Sequence, residues 1–383
     1  MNPFRYGDVA IGQFFTDRHA ELHDLRADMR SGQNVLLLSP RRYGKTSLIT
    51  EVIRQLQKDK EVLVAYADLL RATTKAELAG LLATALYRGL VPPVEQAVHR
   101  LGEFFGNLPL RPKLTLPTGM DGSVTPSFEF GVAATAEDTD ATLDQLLGLP
   151  GEMAKKRQRR VALVLDEFQA ILELDPHMPQ RMRAVFQFQP DVSHVYSGSK
   201  QHLLQRVFTD ANAPLYNSAK VFPVGPIPVD RFALFIKERF AATVVQIEDD
   251  AVDHILAITG GHPHDTQKLC HFVWNLAEVT GARASVDLVD EALRQVLSTD
   301  TARYTEIWES LTPNQRRVLE VVARTGPTEN ILSQRFRDQH GLKAYRVVDY
   351  ALEKLVERSL VERVEREHFV VPDVFLARWL RSP

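Results

Sequence analysis

The sequence is poor in cysteine: Cys270 is the only one. No disulfide can close within the chain, which points to a reducing compartment and excludes the small stapled folds of secreted proteins. Long apolar runs are also missing. No stretch approaches the ~20 residues a membrane helix needs. The start, "MNPFRYGDVAIGQFFTDR", has no apolar segment followed by a cleavage site, so no signal peptide is expected. Charge of one sign is missing too. The 46 Lys and Arg against 49 Asp and Glu leave a net charge of -3. No global basic field draws the chain to nucleic acid, and any such contact must be a local patch. Repeats and low-complexity tails are absent. What remains is the expectation of a cytoplasmic, non-membrane protein of ordinary globular composition, 44% apolar and 25% charged. At roughly 150 residues per domain, its 383 residues make two or three domains.

The hydrophobic pattern alternates. A polar helical stretch, "DRHAELHDLRADMRSG", leads to "NVLLL", a short apolar run of buried-strand type. "TSLITEVIRQLQKDK" follows with apolar residues at helical spacing, then the strand-like "EVLVAYADL" and the helical "KAELAGLLATALYRGL". Such alternation predicts a parallel sheet with helical crossovers. The pattern breaks near Pro92. Between 109 and 135, short alternating runs around a Gly/Asp turn predict an inserted β-hairpin. The helix "DATLDQLLGLPGEMAKK" is expected to kink or split at Gly148-Leu149-Pro150. Three further strands are read in "RVALVLDEF", "VSHVYSGS" and "KVFPVGPI". From Val229 the strands stop and four amphipathic helical patterns succeed one another. From about Thr312 come three more helices and then "LVERVEREHFVV", two short strands with a charged turn. The domains expected are an α/β core over 1–228, a helical lid over 229–300 and a third unit over 301–383.

Between the first strand and its helix lies "SPRRYGKTS", residues 39–47. A loop that cradles phosphate needs backbone N–H groups converging at a helix N-terminus, whose dipole favours anions. Gly44 lets the backbone come close, Lys45 supplies the charge for the β- and γ-phosphates, and Thr46 offers a hydroxyl to Mg²⁺. Ser39 stands where the usual pattern has glycine. Serine can hold that position if its φ is negative, and Pro40 restrains it toward extended geometry. Ser39, Pro40, Arg41, Arg42, Tyr43, Gly44, Lys45, Thr46 and Ser47 are therefore candidate ATP-binding residues. The run "VALVLDEF" ends in an acidic pair. Asp166 is the second candidate ligand for Mg²⁺, and Glu167 the candidate to polarise an attacking water. In "YSGSK", Ser199 is the candidate sensor of the γ-phosphate, with Ser197 and Lys200 next to it; Ser199 equally suits a helix N-cap. In "GGHPHD", Gly260 and Gly261 can end one helix and Pro263 begin the next.

In combination, "NPFRYG…FFTDRHAEL", "SPRRYGKTSL", "VLDEFQ", "YSGSK…APLYNSAKVFPVGP" and "GGHP" resemble the archaeal-type ATPase family of the STAND class of AAA-like P-loop ATPases. The resemblance runs from Asn2 to about Val279. It implies an additional-strand parallel core with a helical lid. It gives Lys45, Asp166, Glu167 and Ser199 catalytic roles, and Thr46 and Asp166 the metal. It places Pro263 against the adenine and lays Phe15, Asp17 and Arg18 over it. Many relatives carry a nuclease-like domain at the C-terminus; none is expected here.

The third unit reads as a winged helix. From Thr301 it holds 14 Lys and Arg against 12 Asp and Glu, and its wing turn, Glu365-Arg366-Glu367, would face phosphate badly. Duplex DNA is the first partner expected through this unit and a protein the second, while oligomerisation stays open. Arg41, Arg42 and Arg206 are the candidates for an arginine finger.

Overall fold

The computed structural model describes residues 1–16, 18–59, 62–91, 104–106, 108–116, 126–131, 135–365 and 368–382. The chain divides into two compact units, Arg18–Arg41 with Lys45–Gly225, and Met1–Asp17 with Arg42–Gly44 and Pro226–Pro383.

The first of these is an α/β core. In chain order it contains α1 (His19–Ser31), β1 (Val35–Leu38), α2 (Lys45–Asp59), β2 (Val62–Asp68), α3 (Lys75–Leu90), β3 (Lys113–Thr115), β4 (Ser127–Glu129), α4 (Ala136–Arg157), β5 (Arg160–Asp166), α5 (Gln169–Leu174), α6 (Met178–Phe186), β6 (Val192–Gly198), α7 (Gln201–Phe208) and β7 (Lys220–Pro223). Five strands form a parallel sheet in the order β2-β5-β6-β1-β7. Strand β6 lies between β1 and β5, so the strand that feeds the phosphate loop and the strand that carries the acidic pair are separated by one. This is the additional-strand arrangement that the resemblance implies. Strands β1 and β6 are buried throughout, which is why they read as continuous apolar runs rather than as alternation.

Strands β3 and β4 pair antiparallel; the turn joining them lies outside the described residues. Helix α4 does not split at Gly148-Leu149-Pro150. It is a single helix from Ala136 to Arg157 with Pro150 inside it. The proline turn is buried, and the Gln189 side-chain amide donates to the Leu147 carbonyl at 2.9 Å, beside the Leu146 carbonyl that Pro150 leaves without its helical donor.

Helix α3 lies hard against β2. A Cβ on Gly89 would stand 2.2 Å from the Val64 carbonyl oxygen and 2.6 Å from Ala65 Cα. Gly89→Ala gains roughly 0.5–1 kcal/mol of helix propensity and loses more to the clash, since overpacking costs roughly 1–3 kcal/mol. The expected result is a lower urea midpoint. A raised midpoint would show that α3 can lift from β2 at no cost.

The second unit is mainly helical: α8 (Val229–Ala241), α9 (Asp249–Thr259), α10 (Pro263–Thr280), α11 (Val286–Glu309), α12 (Pro313–Thr325), β8 (Thr328–Glu329), α13 (Gln334–His340), α14 (Tyr345–Glu357), β9 (Glu362–Glu365), β10 (His368–Val370) and α15 (Val374–Arg381). Helix α11 runs through residue 300. The strands form a small antiparallel sheet in the order β8-β10-β9. Its strand β10 packs on α12, and with α13 and α14 the sheet makes a winged helix whose Phe369 shares the apolar core with Leu352, Leu355 and Phe375. One apolar core spans the unit, from Phe232 and Trp274 to Leu355 and Phe375. The N-terminal segment, read from sequence with the α/β core, packs here. Phe4 is buried with its ring 5.1 Å from that of Phe240, and Asn2 Nδ2 donates to the His271 carbonyl at 3.0 Å. Among the described residues, no helix is long and apolar enough to cross a membrane.

Candidate functional site

The phosphate loop leaves β1 at Leu38 and enters α2 at Lys45. Its left-handed positions are Arg42 (φ 67°) and Gly44 (φ 84°), rather than Ser39. Nothing lies within 4 Å of a Cβ built on Gly44, so backbone conformation rather than space calls for glycine there. Ser39 is buried and its hydroxyl donates to the Pro40 carbonyl at 3.3 Å. Lys45, only 6% exposed, donates from Nζ to the carbonyls of Ser39 (2.8 Å) and Pro40 (2.7 Å). Its charge is therefore held over the loop, at the N-terminal end of a fifteen-residue helix. A helix terminus of this kind attracts anions through its unpaired N–H groups and its dipole.

Asp166 ends β5 and is 2% exposed. Both its oxygens are engaged. Oδ2 accepts from Thr46 Oγ1 at 3.1 Å and from the Tyr66 hydroxyl at 2.9 Å, and Oδ1 accepts from the Glu167 backbone N–H at 3.0 Å. The two candidate metal ligands thus touch across the β1 and β5 ends. A hydroxyl and a carboxylate are hard oxygen donors of the kind Mg²⁺ takes. Tyr66 is a residue that the sequence reading missed. It projects from β2, in register with Val164 of β5. Burial, then the Asp166 charge and hydrogen bond, push its phenol well above the ordinary range and keep it a donor.

Glu167 has a left-handed backbone (φ 52°), which costs a non-glycine residue of order 1–3 kcal/mol. The turn is held by the Phe168 N–H, which donates to the Ser197 carbonyl of β6 at 2.8 Å. The Glu167 carboxylate receives two donors on the same oxygen, Oε2: Ser199 Oγ at 3.0 Å and the Gln169 side-chain amide. Ser199 accordingly does not cap a helix with its side chain. The N-cap of α7 is Lys200, whose ammonium pairs with Glu173. Ser197 Oγ is buried, with no hydrogen-bond partner among the described residues.

Arg18 is buried in the core; it donates to Glu21 Oε1 at 2.8 Å and to the Gly225 carbonyl at 2.7 Å. Burial lowers its pKa from the ordinary guanidinium value, against the pull of Glu21. Arg41 and Arg206 are exposed. Asp17 lies outside the described residues, as does the wing turn at Arg366 and Glu367.

In the helical unit, the Arg42 guanidinium is 4.0 Å from Asp373, the residue that caps α15. The Tyr43 ring meets His262 edge-on at 4.6 Å. Burial, followed by Glu362 and Asp265, pushes the Tyr43 phenol up to about 12. Pro263 is the first residue of α10, and the His262 side chain caps that helix by accepting from the Asp265 N–H at 3.2 Å. Gly260 ends α9 at φ 59°, while a Cβ on Gly261 would meet the Ile227 carbonyl oxygen at 2.4 Å. The "GGHP" run therefore has a full structural account. The α10 residue Gln267 donates to the Phe14 carbonyl at 3.3 Å, which ties down the segment that carries Phe15.

A parallel additional-strand sheet, a lysine-bearing loop at a helix N-terminus and an acidic pair two strands away define a P-loop ATPase, here joined to a winged helix. The chain belongs to the family of ATPase domains found predominantly in Archaea, whose pattern matches residues 15–269. A probable winged helix domain matches residues 302–382. The fold is shared with a Walker-type ATPase of Pyrococcus abyssi, with a TM-score of 0.63 and 16% identity over 97% of this chain and 98% of that one. It is shared also with the ORC2 protein of Aeropyrum pernix, solved as ADPNP–ADP complexes (TM-score 0.57, 14% identity, 98% and 96% covered). The ORC1 protein of the same organism, solved with DNA, gives a TM-score of 0.52 at 15% identity, with 98% and 96% covered. At such identities the likeness is one of fold. No curated protein matches the chain.

Proposed function

We propose that this ATPase is a nucleotide-state switch whose winged helix engages duplex DNA. The observation that carries the nucleotide half is the convergence of Thr46, Asp166, Glu167 and Ser199 at the ends of β1, β5 and β6. Lys45 and the α2 N-terminus bind the phosphates, Thr46 and Asp166 hold Mg²⁺, and Glu167 takes the proton of the attacking water. The metal, when bound, supplies charge neutralisation on the phosphate oxygens. Ser199 positions Glu167 through Oε2. Phe15, Arg18 and Pro263 are proposed as base contacts on the resemblance alone.

Support for coupling comes from the loop itself. Arg42–Gly44 belongs to the same compact unit as the winged helix, with Arg42 beside Asp373. Support for DNA comes from the start of α14, where Lys343, Tyr345 and Arg346 are exposed. A helix N-terminus adds a favourable dipole for phosphate. A second reading, docking of a protein, is favoured by a different observation. Farther along α14, Asp349, Glu353 and Glu357 are exposed at four-residue spacing, an acidic row that repels a phosphate backbone.

The test is fluorescence anisotropy of labelled duplex across a salt series, with the ATPase rate measured with and without DNA. Weak binding is expected, with a log–log salt slope of about -2 to -3, corresponding to two or three phosphate contacts. Replacing both Lys343 and Arg346 with alanine should remove that binding and leave basal ATPase unchanged. No binding at low salt for parent and double variant alike would reject the DNA reading and select the protein contact.

A further inference from the structure

We propose that Gln169 is a positioning residue for the hydrolytic step. It holds the Glu167 carboxylate with one oxygen occupied and the other turned toward water. The inference rests on the reading of Glu167 as the residue that activates water.

Gln169 is the first residue of α5, and its side chain is buried back against the turn that precedes it. Its amide Nε2 donates to Glu167 Oε2, the same oxygen that accepts from Ser199 Oγ. Among the described residues no donor reaches Glu167 Oε1. A carboxylate gripped twice at one oxygen, on a backbone fixed at φ 52°, presents the other oxygen in a single direction. That is what general base catalysis requires of geometry.

Folding alone does not account for a glutamine here. Its Oε1 is buried with no hydrogen-bond partner among the described residues, and leaving a buried acceptor unpaired is costly. Leucine would fill the same volume without that cost. The amide also takes its place only because residue 198 is glycine. A Cβ there would stand 2.1 Å from Gln169 Oε1 and 3.0 Å from Leu204 Cδ1. Gln169, Gly198 and Ser199 thus form one arrangement around Glu167, drawn from the turn after β5 and the end of β6.

The test compares single-turnover ATP hydrolysis with ATP affinity in Gln169→Leu, Gln169→Ala, Gly198→Ala and the Gln169→Ala/Gly198→Ala pair, beside Glu167→Gln. Gln169→Leu should lower the rate roughly 10- to 100-fold, the range for a catalytic group displaced by about 1 Å, with ATP affinity kept within about twofold. Gly198→Ala should show the same split, because it displaces the amide without altering it. In the pair the second change should cost little, since the group it displaces is gone. A parent rate in Gln169→Leu, or equal losses of rate and affinity, overturns the proposal, as does simple additivity in the pair. Should Gln169→Leu fail to fold, Gln169→Asn, which keeps the amide but pulls it back by one methylene, is judged by the same split. Loss of activity in Glu167→Gln with full activity in Gln169→Leu defeats this inference alone. Full activity in Glu167→Gln defeats the reading beneath it.

Discussion

Lys45→Ala is expected to abolish tight ATP binding. Its ammonium is the positive side-chain charge that the structure holds over the phosphate loop, tied to the Ser39 and Pro40 carbonyls at the α2 N-terminus. Removing one partner of a buried, hydrogen-bonded charge pair costs roughly 2–5 kcal/mol, or about 30- to 5,000-fold in affinity. The substitution also takes the donor from the Ser39 and Pro40 carbonyls, so the fold is checked beside the affinity. The measurement is equilibrium binding of a labelled ATP analogue, with thermal unfolding as the control for folding. Parent affinity in a folded variant would falsify the assignment of residues 39–47 as the phosphate site.

Much of the core was legible because its signals are local. A fully buried parallel strand must be apolar on both faces, so "NVLLL" and "VALVLDEF" announce β1 and β5, and the acidic pair marks where β5 ends. What was illegible depends on strand order and register. Tyr66 meets Asp166 only because β2 pairs with β5, and nothing in the spacing of one hundred residues discloses that. Gln169 stood in the quoted "VLDEFQ" without a role, since its value lies in how a left-handed turn folds it back on Glu167. That the helix does not split at Pro150 was likewise not legible from local sequence. One hydrogen bond to that turn comes from Gln189, a residue distant in sequence. The N-terminal segment, too, reads as part of the core until the burial of Phe4 against Phe240 places it with the helical unit.

Glu167→Gln should bind ATP like the parent and hydrolyse it roughly 10²–10⁴-fold more slowly, the usual contribution of a positioned general base. The substitution is well matched to its surroundings. The amide oxygen can take the place of Oε2 and still accept from Ser199 and Gln169. The left-handed turn, fixed by the Phe168 N–H to the Ser197 carbonyl, asks nothing new of a glutamine. What changes is the group that faces water, now an NH₂ that cannot take a proton. Binding and chemistry should therefore separate cleanly in single-turnover kinetics against labelled ATP affinity. Glu167→Ala should not separate them so well. It removes the acceptor of both donors and leaves the buried Gln169 amide unpaired, at a cost of about 1–3 kcal/mol. If Glu167→Gln turned over ATP at the parent rate, Glu167 would serve the turn after β5 rather than the reaction, and another group would have to activate the water.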